Sequence, residues 1–370
     1  MRIASFNVEN LFSRVKVMNG DSWAEGKAIL DLYAQFNAII GKDKYSASDK
    51  AKIVDILTKL GLTKSDDTKL VVLRQNREKL IRRPKSGGIE VIANGREDWI
   101  GWLELKVEPV NAKAIENTAR IIHEVDADIL AVVEAEDRIA LLRFSDQMLA
   151  RIGAAPYAHV MLIDGNDERG IDVGLLTKKD YTVNTICSHV DDRDGEGLIF
   201  SRDCPEYEIQ LPSGEMLLVL VNHLKSKGFG TQASSNARRK RQAKQVRDIY
   251  DRRRAKGRKL IAIVGDFNDF PGSDPLSPLL ANGSDLKDVS QHPKFEDDGF
   301  PGTFGDGRAR DKIDFILLSP ELFAKVRAAG VERRGVWGGK NGDRWPILPS
   351  ITRKVEAASD HAAIWADLDL

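Results

Sequence analysis

Hydrophobic residues along this chain gather into short runs that stop abruptly at polar residues. Such runs are Arg2 to Phe6 before Asn7, Ile129 to Val133 before Glu134, Val173 to Leu176 before Thr177, Met216 to Val221 before Asn222, Leu260 to Val264 before Gly265, and Phe315 to Leu318 before Ser319. They are rich in Val and Ile and bounded by turn formers, a pattern that predicts strands buried on both faces. Ile364 to Leu368 reads as one more. Between the runs, apolar positions repeat with helical spacing over Asn117 to Val125, Ile139 to Ile152 and Ser234 to Arg254. Strands alternating with helices predict an α/β layered domain.

Residues 13–112 interrupt that alternation. The stretch carries helical periodicity at Lys52 to Leu60 and at Val71 to Leu80, a turn at Arg82 Arg83 Pro84, a strand-like Ile89 to Ala93, and Trp99 Ile100 Gly101 Trp102. It reads as an accessory insertion at about 13–112, within one domain spanning 1–370. No repeat and no low-complexity tract is present. A second loop-rich stretch, Arg333 to Lys354, is expected to lie over one end of the sheets.

Composition narrows the class. Of 370 residues, Lys plus Arg number 56 and Asp plus Glu number 56, so the formal net charge is +0. That balance argues against nucleic-acid binding through bulk positive charge. Hydrophobic residues at 42% and charged residues at 30% are ordinary for a globular protein and exclude disorder and collagen-like structure. Two cysteines, Cys187 and Cys204, are too few for a disulfide framework or a cysteine-built zinc site and are expected as free thiols. No apolar run approaches the roughly 18 residues of a membrane span, and Met1 to Asn7 has no apolar run of a signal peptide behind it. A cytoplasmic protein without a membrane span is the expectation, with oligomeric state unspecified.

The polar residues that end the runs are the chemically informative ones. Asn7 and Glu9 follow the first; Glu134, then Asn222 with His223, then Asp266 with Asn268 end others. Asp314 opens the Phe315 run, and Asp360 with His361 precede the last. Taken singly, Asp or Asn after a strand is a turn former, Glu134 is an acid opening a helix, and a lone His223 is a hydrogen-bonded structural histidine. Taken together, acidic, amide and imidazole groups stand at the ends of six strand-like elements, where an α/β sheet protein presents a site. One site collecting them all is the prediction.

In these segments the chain resembles the endonuclease/exonuclease/phosphatase superfamily. The matching motifs, in the family's order, are Ser5 to Leu11, Val133 Glu134, Asn222 His223 Leu224, Gly265 Asp266 Phe267 Asn268, Lys312 Ile313 Asp314, and Ser359 Asp360 His361. The resemblance implies a four-layer α/β sandwich of the DNase I-like kind, with two packed mixed β-sheets flanked by helices and a divalent metal at one end. It also implies phosphoester hydrolysis, which the residue types suggest unaided. A phosphodiester resists attack because its oxygens are negative, so a hydrolase must neutralise charge, orient a water and stabilise the leaving oxygen. Carboxylates and amide oxygens without cysteine suit a hard cation, Mg²⁺ first and Mn²⁺ second.

By the same resemblance, Glu134 is the main metal ligand, with Asn7, Glu9 and Asp360 in or beside the coordination shell. Asp266 is expected to orient or deprotonate the attacking water and Asn268 to donate to the phosphate. Asp314 is expected to hold His361, which contacts the phosphate or serves as base. His223 matches the second histidine of the DNase, sphingomyelinase and inositol phosphatase branches. The abasic-site endonuclease branch has tyrosine there, which weighs against abasic-site cleavage. Arg169, Asn222 and Lys225 are expected to hold substrate, Arg169 because a guanidinium matches phosphate oxygens bidentately.

The functional expectation is a divalent-metal-dependent phosphoester hydrolase, a DNase-like endo- or exonuclease first, with nucleic acid as partner. The alternatives are a phosphatase or phosphodiesterase on a small-molecule or lipid phosphoester, and a non-catalytic phosphate-binding module. Two features stay open at this level. The basic residues Arg238 to Arg241, Lys244, Arg247 and Arg252 to Arg254 form either a solvated helix or a phosphate-attracting patch. Trp99, Trp102, Trp337 and Trp345 either stack on bases or pack beneath loops.

Overall fold

Each apolar run singled out above falls on a strand in the computed structural model, which describes residues 1–9, 11, 13–18, 23–167, 169–227, 231–281 and 283–370. Asn10 of the first motif lies outside the described residues. The strands of the principal unit are β1 (Arg2–Asn7), β2 (Ile129–Ala135), β3 (His159–Ile163), β4 (Asp172–Thr177), β5 (Thr182–Cys187), β6 (Glu206–Gln210), β7 (Met216–His223), β8 (Ile261–Asp266), β9 (Lys287–Asp288), β10 (Phe295–Glu296), β11 (Asp314–Leu318), β12 (Val326–Glu332) and β13 (Ala363–Leu368). They form one sheet in the order β10-β12-β13-β1-β2-β4-β3 and a second in the order β5-β6-β7-β8-β11-β9. Both sheets are mixed. β1 runs parallel to β2 and β7 parallel to β8, whereas β13 pairs antiparallel with β1 and β11 with β8.

Side-chain alternation sorts the strand residues into layers. Ile3, Ala131, Val133, Val219, Val221, Val264 and Ile316 form an apolar core drawn from both sheets. On the outer side of the first sheet, Ala4, Phe6, Leu130 and Val132 pack with Ile121, Ile122 and Val125 of α1 (Ala112–Val125). On the outer side of the second, Leu218, Leu220, Ile263 and Phe315 pack with Ala243, Val246 and Ile249 of α2 (Gln232–Ala255). The architecture is a four-layer α/β sandwich, helix on sheet on sheet on helix. No helix among the described residues is long and apolar enough to cross a membrane.

Contacts separate a second compact unit, Ser13–Glu108, from the principal one. It contains helices Trp23–Ile40 and Ala47–Lys59 and a two-stranded ladder of Val71–Arg77 with Ile100–Leu105. The helical reading of Val71 to Leu80 is therefore wrong. Pairing with Ile100–Leu105 buries Val71 and Leu73 beside Ile53 and Leu57, and the β-branched Val71 and Val72 suit a strand better than a helix. Trp99 is buried in the same core, its Nε1 donating to the Tyr45 hydroxyl at 3.1 Å, so it packs and does not stand ready to stack.

Candidate active site

The site grows from the strand ends that face the inter-sheet core. Alternation puts Asn7 of β1 on the side of Ile3, Asp266 of β8 on the side of Val264, Asp314 of β11 on the side of Ile316, and His223 of β7 on the side of Val221. Because parallel β1 and β2 end together, as do parallel β7 and β8, four of these groups meet at one end of the sandwich. Antiparallel β11 begins where β8 finishes, with Asp266 paired directly to Asp314.

Glu134 reaches this end by a backbone irregularity. Val133 belongs to the inter-sheet core and Ala135 to the core under α1, so strict alternation would turn Glu134 away from the site. The β2–β4 register slips there: Asp172 pairs with Ala135 but Val173 with Val133, leaving Glu134 as a bulge with φ of 66°. Bulges re-aim side chains in this way. Glu9 (φ 51°) and Asn268 (φ 55°) also hold the left-handed conformation that non-glycine residues avoid. Beside Asp266, Gly265 has φ of 132°, and a Cβ there would lie 1.9 Å from the Asn222 carbonyl oxygen, so only glycine fits.

The side chains form a connected set. The His361 Nδ1 lies 2.8 Å from Asp314 Oδ2, which also accepts from the Thr303 hydroxyl at 2.6 Å. His361 Nε2 faces Asp266 Oδ2 at 3.9 Å and Asp360 Oδ1 at 3.8 Å. Asn7 Nδ2 donates to Asp266 Oδ2 at 3.3 Å. His223 Nε2 stands 3.7 Å from both Glu134 Oε1 and Asp266 Oδ2. The two ends of the chain are stitched together: the Asp360 N–H donates to Glu9 Oε2 at 3.0 Å and the Ser359 hydroxyl to the Asn7 carbonyl at 2.7 Å.

Electrostatics divides the two histidines. Burial opposes charge on His361, but Asp314 and Asp266 outweigh it and raise its pKa well above the ordinary value, favouring the charged ring. Burial and then Arg202 push His223 well below its ordinary value, favouring the neutral ring, whose buried Nδ1 lacks a hydrogen-bond partner. Burial, followed by the charge of Asp314, lifts the Asp266 carboxyl to about 7.

Thus Asn7, Glu9, Glu134, His223, Asp266, Asn268, Asp314, Asp360 and His361 are brought together. Two expectations change. Asn268, expected to donate to a phosphate, turns to Asp266, donating its N–H to Oδ1 at 2.8 Å and its amide to Oδ2 at 3.2 Å and to the Leu224 carbonyl at 3.1 Å. Asn222, expected to hold substrate, alternates to the opposite face from His223 and lies buried against Cys204. The charge of Arg169 bears on His223 and on Lys225. Sequence reasoning missed Arg202, which is 3% exposed and 3.1 Å from Asp167; it sits in an irregular segment with no periodic signal.

The donor set suits a hard cation. Asn7, Glu9, Glu134 and Asp360 stand together at this end, and the donors they offer a cation are oxygens, the chemistry that a hard ion takes. Asp266, Asp314 and His361 set ligand atoms within 4.8 Å of one another, as do Cys187, His189 and Glu206 elsewhere.

Residues 109–361 match the family model described as the endonuclease/exonuclease/phosphatase family. No curated protein sequence matches the chain. Among solved structures, an endonuclease/exonuclease/phosphatase family protein from Bacteroides thetaiotaomicron is similar in fold, with a TM-score of 0.50 and 16% identity over 69% of this chain and 86% of that one. A family protein from Bacteroides vulgatus gives 0.49 and 19% over 69% of this chain and 90% of that one, and the human nocturnin catalytic domain with bound sulfate gives 0.46 and 14% over 71% and 88%. With more than half its length matched in sequence and a family sandwich carrying charged strand ends at one edge, the chain belongs to the endonuclease/exonuclease/phosphatase family of phosphoesterases.

Proposed function

We propose that the chain hydrolyses phosphodiesters with the help of a divalent cation, Mg²⁺ or Mn²⁺, and acts as a nuclease. The observation that carries this reading is the Asp314–His361–Asp266 series, a fixed imidazolium beside a carboxyl poised near neutrality, next to the oxygen donors of Glu134, Glu9, Asn7 and Asp360. A cation bound there would neutralise phosphate charge and polarise the phosphorus for attack.

The protein's own groups take the remaining roles. Asp266, lifted to about 7 by burial and by Asp314, suits a base that removes a proton from water near neutral pH. Asn7 and Asn268 hold its oxygens in place. His361, charged through Asp314, donates from Nε2 to the phosphate as negative charge builds. Neutral His223 presents a ring nitrogen beside Glu134 for the phosphate or the leaving oxygen.

A second reading, a phosphatase or phosphodiesterase on a small phosphoester, draws support from α2. Its cations are taken up by acids: Lys240 on Asp274, Lys244 on Asp248, Arg247 on Asp251, Arg253 on Glu206 and Arg254 on Glu321. That leaves no long basic track on the helix for a duplex. A metal-supplemented screen of supercoiled DNA, single-stranded DNA, RNA, bis-p-nitrophenyl phosphate and inositol phosphates decides between them. Cleavage of the nucleic acids supports the nuclease; turnover confined to small esters supports the second reading.

A further inference from the structure

Several fastened segments bring four cations together on the Arg202 side of His223. The Asn166 amide donates to the carbonyls of Val190 at 2.7 Å and Phe200 at 3.3 Å, tying the loop of Arg169 to the segment of Arg202. Gln242 of α2 accepts from the Lys225 N–H at 2.7 Å and donates to the Ile199 carbonyl at 3.1 Å and the Ser201 hydroxyl at 3.3 Å. One side chain therefore fixes Lys225 against the Arg202 segment, and Arg238 stands one turn earlier on the same helix face.

Asp167 receives two bonds from Arg169, at 2.8 and 2.6 Å, and lies 3.1 Å from Arg202, so one carboxylate serves two guanidiniums. Arg238 has no ion pair among the described residues, unlike its neighbours Arg239 on Asp269 and Arg241 on Asp194. The Nε atoms of Arg202 and of Arg238 are buried without a hydrogen-bond partner, and Arg202 is 3% exposed. Leaving such donors unmatched is costly unless a ligand completes them. Burial, and then Arg202, Arg169 and Arg238, bring the Lys225 ammonium down to about 7, a sign of mutual repulsion that an anion would relieve.

Resting on the hydrolase reading above, we infer that Arg202, Arg238, Lys225 and Arg169 form a second phosphate subsite, which holds a phosphate of the substrate other than the one cleaved. Guanidiniums recognise phosphate oxygens bidentately, and the buried Arg202 would do so with little competition from water. The same chemistry serves the neighbouring phosphate of a polynucleotide or a second phosphate on a small molecule.

Matched substrates separate these cases. Thymidine p-nitrophenyl phosphates, esterified at the 3′ or the 5′ position, are compared with their counterparts phosphorylated at the other hydroxyl; a sugar monophosphate is compared with its bisphosphate. The extra phosphate is expected to raise kcat/KM at least about tenfold, mainly through KM, in the nucleotide series for a polynucleotide or in the sugar series for a small molecule. Arg238→Ala should cut that preference about tenfold and Arg238→Lys should keep most of it. No preference in either series, or equal losses on singly and doubly phosphorylated substrates, would overturn the subsite.

Calorimetric titration of inorganic phosphate in the presence of EDTA gives a readout free of turnover. Arg238→Ala and Arg202→Gln, each checked for native circular dichroism, should bind phosphate about tenfold more weakly than wild type. Equal binding by wild type and Arg238→Ala contradicts the subsite. Weakened binding without turnover on any substrate leaves the subsite standing and sinks the hydrolase reading.

Discussion

The Nδ1 of His361 lies 2.8 Å from Oδ2 of Asp314, joining a residue that precedes the last strand to one that opens β11 of the other sheet. The bond fixes the ring and sustains its charge. Asp314→Asn keeps the shape but removes the anion, so turnover should fall by about 10²-fold or more. In an NMR titration the His361 ring should then lose its proton at a lower pH than in wild type. An unchanged titration would show that the carboxylate does not set the ring's charge.

Asp266 and His361 should each make the metal-free protein less stable as pH rises through neutrality, while His223 and Lys225, whose pKa values are depressed, act in the opposite direction. Burial and Asp314 raise the Asp266 carboxyl from 3.8 to about 7, so between those values the native state keeps a proton that the unfolded chain has lost. His361 acts in the same direction: its raised pKa gives stability that is full below 6.5 and is lost as pH climbs through the native value. Scanning calorimetry in EDTA should show that wild type, compared with Asp266→Asn, loses Tm between about pH 5 and about pH 8, because the substitution removes the Asp266 contribution and leaves the others in place. Equal pH dependence of Tm in the two proteins would contradict the raised Asp266 carboxyl.

The bulge at Glu134 separates backbone from side chain. Its φ of 66° is tolerated by glycine, so Glu134→Gly should be more stable than Glu134→Ala by about 1 kcal/mol, although both lose activity. Urea denaturation of the two variants measures the difference. Equal stability would mean that the left-handed conformation carries no strain.

Gly265→Ala should unfold the protein or cost about 3 kcal/mol or more, because the new Cβ meets the Asn222 carbonyl oxygen at 1.9 Å and φ is 132°. The check is the denaturation midpoint and soluble yield. A variant as stable as wild type would refute the tight β7–β8 contact that places Asp266.

Much of this was legible in the sequence because buried strands write themselves as apolar runs, and a site at their ends writes itself as the polar residue that stops each run. Asn7, Glu134, His223 and Asp266 are read that way, Asp314, Asp360 and His361 from the starts of two other runs, and the order of the motifs ties them into one set. Period two also states which residues share a face, and Asn222 could have been placed away from His223 on that ground alone. The bulge that rescues Glu134 has no such signature, since Glu is not a residue that announces a left-handed turn. Val71 to Leu80 looked helical because a short apolar run fits both periods; pairing with Ile100–Leu105, distant in sequence, decided it. The basic helix could not be read either way, because whether its charges are free depends on acids such as Glu206 and Glu321 in other elements.

The central claim is that Glu134 and His361 serve one metal-assisted hydrolytic site built from both ends of the chain. The most direct test is initial-rate hydrolysis of bis-p-nitrophenyl phosphate by wild type, Glu134→Gln and His361→Ala, each folded by circular dichroism, with Mg²⁺ or Mn²⁺ and with EDTA. Wild type should turn over only with metal, and each variant should be slower by about 10²-fold or more. Near-wild-type rates in either variant, or wild-type turnover unaffected by EDTA, would contradict the account.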